Sequence, residues 1–186
     1  MAVLKKIRPR WWPFSWFEVS ERVWEPPSPV ITYTAPDLQY DVSPLTLTQL
    51  EEVWRLDQRC FLDGEAYSRE TLEYLLTASE ALSFRSVTET GLMAGFIIGL
   101  VEAHQMGHVT TLGIAPEHRQ RGLAQRLMQR METALAQRGA QMVRLEVRSI
   151  NTTALNLYRG LGYVVTQRLP RYYANGGDGY MMIKGL

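Results

Sequence analysis

Apolar positions follow two rhythms along most of this chain. Leu123, Leu127, Met131 and Leu135 recur every four residues, the inner face of a helix that Gly139 stops. Val143, Leu145 and Val147 alternate with Arg144, Glu146 and Arg148, which predicts a strand over 142–148 with one apolar and one charged face. Upstream, Leu82–Thr88, Leu92–Val101 and His108–Ala115 read as strands of an antiparallel meander, the first turn being Glu89-Thr90-Gly91. Two helices are expected before the meander. Thr46 and Gln49 form a capping box, Leu45 and Leu50 a staple, and the helix runs to about Arg59 with Leu50, Val53, Trp54 and Asp57 on one face. Ser68 caps the second helix, stapled by Tyr67 and Leu72, with Leu72, Leu75 and Leu76 turned inward. Beyond residue 148, Asn151 is placed to cap a short helix that Gly162 ends, and Tyr163–Leu169 with Tyr180–Lys184 predict a closing hairpin. The pattern as a whole is a mixed α/β fold.

Residues 1–36 break from this pattern. They hold six of the nine prolines and four of the five tryptophans, so a domain boundary is expected near Asp37, separating a basic-aromatic arm from a domain over 37–186. Lys5, Lys6, Arg8 and Arg10 precede Trp11, Trp12, Phe14, Trp16 and Phe17, an order suited either to packing on the domain or to docking at a membrane surface or partner. Pro13 and the lack of a small-residue cleavage site argue against a secretory signal.

The chain of 186 residues is 46% hydrophobic and suffices for one core domain. Its longest apolar run, Leu92–Val101, is far short of the roughly 20 residues that span a bilayer. A net charge of +1 gives no reason to expect direct nucleic-acid binding. Cys60 is the single cysteine, expected as a buried, inert thiol in a reducing, cytoplasmic setting. His104, His108 and His118 lack the HExxH spacing, so no metal site is expected.

Candidate chemistry begins with LGIAPEHRQRGLA, residues 112–124, where an apolar strand meets a helix through an arginine-rich turn. Gly122 and Ala124 let backbone N–H groups approach a ligand closely, and the helix adds the positive end of its dipole, so the turn suits a phosphate. It is neither a GxxxxGK[ST] loop nor a GxGxxG fingerprint.

The stretch LGIAPEHRQRGLAQRLM resembles the acetyl-coenzyme A motif of the GCN5-related N-acetyltransferase (GNAT) superfamily, with Arg119, Gly122 and Ala124 in the signature positions. The block RLEVRSINTTALNLYRGLGY, residues 144–163, is similar to that of the ribosomal-protein-alanine N-acetyltransferases, and the tail from Arg171 to Met182 continues the likeness. The resemblance implies a central, mostly antiparallel twisted sheet of six to seven strands flanked by about four helices. It also implies acetyl-CoA as cosubstrate, with no metal, and direct attack by a primary amine. Leu112, Gly113 and Ile114 would contact the pantetheine arm, Arg119, Gln120, Arg121, Gly122, Leu123, Ala124 and Gln125 the pyrophosphate, and Asn151 the cofactor. Glu146 matches the general base and Tyr158 the general acid, while Tyr67, Tyr172 and Tyr173 would wall the acceptor site. By pattern alone Glu146 reads as a solvated strand residue paired with Arg144 or Arg148, and Tyr158 as a core aromatic; the motif is what singles them out for catalysis. The expected acceptor is a protein N-terminal amine, with ribosomal proteins as candidates. A lysine or small-amine acceptor and a non-catalytic acyl-CoA-binding module are the alternatives.

Overall fold

The computed structural model describes residues 39–61 and 64–186. The expected boundary near Asp37 and the basic-aromatic arm lie outside the described residues. The strands are β1 (Tyr40–Pro44), β2 (Ala81–Thr88), β3 (Met93–Glu102), β4 (Met106–Ile114), β5 (Met142–Arg148), β6 (Val164–Leu169) and β7 (Gly179–Gly185). The α-helices are α1 (Leu50–Cys60), α2 (Arg69–Thr77), α3 (Leu123–Gln137) and α4 (Thr152–Gly160). One seven-stranded sheet runs β1-β2-β3-β4-β5-β7-β6, antiparallel except for the β4–β5 pair.

The meander, the helix stop at Gly139 (φ 89°) and the closing hairpin all form where the apolar rhythm places them. Three details differ from the sequence reading. A short strand, β1, precedes the first helix and pairs with β2. Its five residues are too few to carry a readable alternation. The capping box opens a single 3-10 turn, Leu47–Gln49, with the Thr46 N–H donating to Gln49 Oε1 at 3.0 Å, and the α-helix proper starts at Leu50. Finally, β7 inserts between β5 and β6, so the last strand of the chain is interior to the sheet.

Alternation along the strands sends side chains to two faces, each covered by its own helices. Leu127, Met128, Met131 and Leu135 of α3 pack with Ile97, Val143, Leu145, Leu155 and Tyr158. On the other face Leu50, Val53 and Leu56 of α1 and Leu72 and Leu75 of α2 pack with Met93, Phe96 and Ile98. Burial of these side chains at roughly 25 cal/mol per Å² is the main stabilising term for both layers. Between the layers the sheet has a split. β4 and β5 pair only from Met106↔Met142 to Val109↔Leu145, although β4 continues to Ile114 and β5 to Arg148.

Candidate active site

The split coincides with a bulge. Ile98 pairs with Thr111 and Gly99 with Val109, which leaves Thr110 as the extra residue of β4. Thr110 Oγ1 donates to the Ile98 carbonyl at 2.9 Å, fixing the bulge. Past this point β4 turns from β5, and a cleft of about 320 Å³ opens between them. Thr110, Thr111 and Leu112 of β4 line it opposite Glu146, Val147 and Arg148 of β5. Tyr158 and Asn151 close one side, and Tyr67, Glu65 and Tyr173 close the other.

Charged side chains of β5 face the α1–α2 side and are each paired with an opposite charge. Glu146 is held through Oε2 by His108 Nε2 at 2.8 Å and through Oε1 by Arg144. Arg144 Nη2 also donates to Glu102 Oε1 at 2.8 Å. Burial pushes the Glu146 carboxyl up, but the His108 hydrogen bond and the His108 and Arg144 charges outweigh it and hold the group below the ordinary carboxylate value. Glu146 is therefore an ionised but weak base at neutral pH. Arg148 pairs with Glu65 and lies over the Tyr173 ring, 4.4 Å from its centroid.

Tyr158 differs from Glu146 in every respect. It sits on α4 in the apolar layer, edge-on to Tyr163, and burial pushes its phenol up to about 12. It is a neutral O–H donor throughout the physiological range. Asn151 caps α4, its Oδ1 accepting from the Ala154 N–H at 3.0 Å. Tyr67 donates its hydroxyl to the Thr110 carbonyl at 3.4 Å.

Beyond Leu112 the chain reaches the arginine-rich turn. Gln120 (φ 59°) and Gly122 (φ 74°) are both left-handed, and the six N–H groups from Gln120 to Gln125 find no backbone acceptor among the described residues. Arg119 Nε returns to the Ile114 carbonyl at 3.2 Å, and Arg126 Nη2, in the first turn of α3, ties that helix to the Tyr40 carbonyl of β1 at 2.7 Å. At Gly113 a Cβ would lie 2.4 Å from Phe96 Cε1, which leaves no room for a side chain there. A run of unpaired donors at the start of a 15-residue helix fits a pyrophosphate-bearing cosubstrate.

The structure thus brings Glu146, Tyr158, Asn151, Leu112, Tyr67 and Tyr173 to one cleft. Gly113, Ile114 and residues 119–125 are not among its lining residues. Tyr172 does not line it either: it is 52% exposed and packs edge-on against Tyr173 at 5.2 Å. Cys60 is half-buried rather than buried; it lines the cleft, donates to the Ile114 carbonyl at 3.3 Å and is pushed by burial up to about 11, which keeps the thiol protonated. Sequence reasoning missed Glu65, Arg148 and His108. Alternation placed Arg148 beside Glu146, but nothing local marks Glu65 or His108 as partners of β5. No metal-binding group of His, Cys, Asp or Glu occurs among the described residues. No helix among them is long and apolar enough to cross a membrane.

The family model for the acetyltransferase (GNAT) family matches residues 50–163. The chain is 40% identical to the N-terminal acetyltransferase B complex catalytic subunit NAA20 of Arabidopsis thaliana over 96 residues, 50% of this chain and 55% of that protein. It is 33% identical to the N-terminal acetyltransferase A complex catalytic subunit NAA10 of the same plant over 127 residues, 66% of each chain. The chain therefore spans between about half and two thirds of these curated relatives. Among solved structures it is similar to the ribosomal-protein-S18-alanine N-acetyltransferase from Escherichia coli, with a TM-score of 0.71 and 26% identity over 79% of this chain and 94% of that one.

Proposed function

Because the chain belongs to the acetyltransferase (GNAT) family, we propose that it acetylates the N-terminal α-amino group of a protein, with acetyl-CoA as the acetyl source. The observation that carries this reading is the cleft at the β4–β5 split, which places an ionised carboxylate and a neutral phenol on its opposite sides. Bound acetyl-CoA supplies an activated acyl carbon and a thiolate leaving group.

The residues of the chain divide the remaining work. The unpaired amides from Gln120 to Gln125 hold the pyrophosphate with Arg119 and Arg121 close by, while Leu112, Gly113, Ile114 and Asn151 position the rest of the cosubstrate. Glu146 takes up the proton lost by the attacking amine. Tyr158 donates its O–H to the departing sulfur. A weakened base suits an α-amine with a pKa near 8, of which about a tenth is already neutral at pH 7. A lysine near 10.4 would ask roughly 3 kcal/mol more of the same carboxylate. Tyr67 and Tyr173 wall the acceptor, and Tyr172 covers Tyr173 from outside.

The relatives that act at protein N-termini, two plant catalytic subunits and a bacterial ribosomal-protein enzyme, support the same acceptor class. The test is a panel of peptides differing in their first two residues, including the ribosomal-protein start Ala, together with a lysine-only peptide with a blocked N-terminus and a set of polyamines. Coenzyme A release and mass spectrometry should place the acetyl group on a free α-amine. Acetylation of the blocked peptide or of polyamines alone would overturn the proposal in favour of a lysine or small-amine enzyme. Tight acetyl-CoA binding without turnover of any acceptor would favour a binding module.

A further inference from the structure

The end of α1 holds a carboxylate that the chemistry above does not use. Asp57 is 1% exposed, and its Oδ2 accepts the Tyr67 N–H at 2.6 Å. Its neighbour Gln58 reaches the same residue from the other side, Nε2 donating to the Tyr67 carbonyl at 3.0 Å. The Tyr67 side chain completes the fixture by donating to the Thr110 carbonyl at the β4 bulge. Consecutive residues of one helix thus hold both backbone polar groups of a cleft-wall tyrosine, and the tyrosine in turn touches the strand where the sheet splits. A buried carboxylate is an expensive way to satisfy one N–H, because a neutral amide oxygen would do so without desolvating a charge. Asp57 Oδ1 has no partner among the described residues, which adds to that cost.

We infer that Asp57 and Gln58 form a clamp that positions Tyr67 as the acceptor wall, so that the charge on Asp57 sets how well the acceptor, and not the cosubstrate, is held. This rests on the assignment of the Tyr67 side of the cleft to the acceptor. Asp57 is a positioning residue: it acts through Tyr67, since it does not line the cleft itself. Burial pushes its carboxyl from 3.8 up to about 6. The titratable groups beside it among the described residues are the Cys60 thiol and the Tyr67 phenol, both raised by burial and neutral there. Around pH 6 Asp57 is therefore the group in this clamp that changes charge. The ionised form makes a charge-assisted bond to the Tyr67 N–H, roughly twice as strong as a neutral one, and the protonated form does not.

Two measurements on the full chain test the clamp. In amide NMR the Tyr67 N–H should titrate with a midpoint near pH 6 in the wild type and stay flat in Asp57→Asn; a Tyr67 amide that does not respond to pH in the wild type overturns the clamp. This readout needs no acceptor, so it separates the clamp from the assignment of the acceptor. In steady-state kinetics, with a peptide from the panel above, Asp57→Asn should raise the acceptor KM about fivefold at pH 7.5 with kcat and the acetyl-CoA Kd little changed. The ratio of variant to wild-type KM should fall toward one below pH 6, because a protonated acid and an amide offer Tyr67 equivalent neutral acceptors. Gln58→Ala, which leaves the charge in place, should raise KM by about two- to threefold at every pH. A fall in kcat matching the rise in KM, or an acetyl-CoA Kd that weakens in step, overturns the positioning role.

Discussion

The two sides of the β4–β5 split present polar groups of different kinds. On the α3–α4 side the turn before α3 offers backbone amides and a neutral phenol set in an apolar layer. On the α1–α2 side nearly every polar contact is a side chain reaching across the fold: Glu65 to Arg148, Glu146 to His108, Asp57 to Tyr67. Backbone donors are fixed once the local conformation is fixed, whatever the side chains are. Side-chain contacts can be exchanged one at a time without disturbing the fold. The proposed cosubstrate side is thus built mainly from main chain, and the proposed acceptor side from side chains that can be replaced singly.

The division can be broken by experiment, and Tyr158→Phe should have the largest effect. Removing the O–H leaves the apolar packing intact while taking away the donor to the leaving sulfur, so kcat should fall by about 10²–10³-fold with the acceptor KM unchanged. A changed acceptor KM would show that the phenol belongs to the other side. Asp57→Asn comes next and sharpens the comparison from the acceptor side. Because the folded-state carboxyl is raised from 3.8 to about 6, the native chain binds more protons than the unfolded chain in that interval. Stability contributed by this group is thus fully present below pH 3.8 and is lost as the pH rises to 6, by about 3 kcal/mol. Urea unfolding at pH 4 and pH 7 should show the wild type losing most of that amount relative to the Asp57→Asn variant, the carboxyls that both proteins share cancelling in the difference. A variant that is less stable at pH 7 would mean that the carboxylate is structural rather than a cost carried for function.

Gly122→Val should have the smallest effect of the three and probes the backbone side. Nothing lies within 4 Å of a Cβ there, so the burden is the left-handed φ of 74°, about 1–2 kcal/mol for a β-branched residue. Calorimetry should find acetyl-CoA binding weakened by roughly tenfold with the acceptor KM little altered. Equal weakening of both ligands would dissolve the distinction between the two sides.

Most of the fold was legible because its signals are local. The four-residue recurrence from Leu123 to Leu135, the alternation around Glu146 and the glycine stops at Gly139 and Gly162 each act through neighbours in the chain, and α3, β5 and α4 formed within a residue or two of their expected bounds. The same holds for the turn, whose motif, left-handed glycine and unpaired amides all lie in one short segment. β1 was not legible, because a five-residue edge strand takes its identity from pairing with β2 rather than from its own pattern.

The charged half of the site depended on the third dimension. Periodicity puts Arg144, Glu146 and Arg148 on one face of a strand, and the family motif singles out Glu146. That Glu146 is a weak base follows from the His108 hydrogen bond, whose partner lies 38 residues away in the chain, and from Arg144 on its own strand. That Tyr67 lines the cleft as well as packing against the cluster of Leu72 follows from Asp57, Gln58 and the bulge at Thr110, which meet only when α1 is packed on the sheet. Local pattern was enough for the elements other than β1, for the family and for the shape of the arginine-rich turn, because those are set by backbone conformation and short-range order. The tertiary structure alone decided where the sheet splits and which carboxylates are paired, because strand order and long-range charge contacts are fixed by how the layers pack.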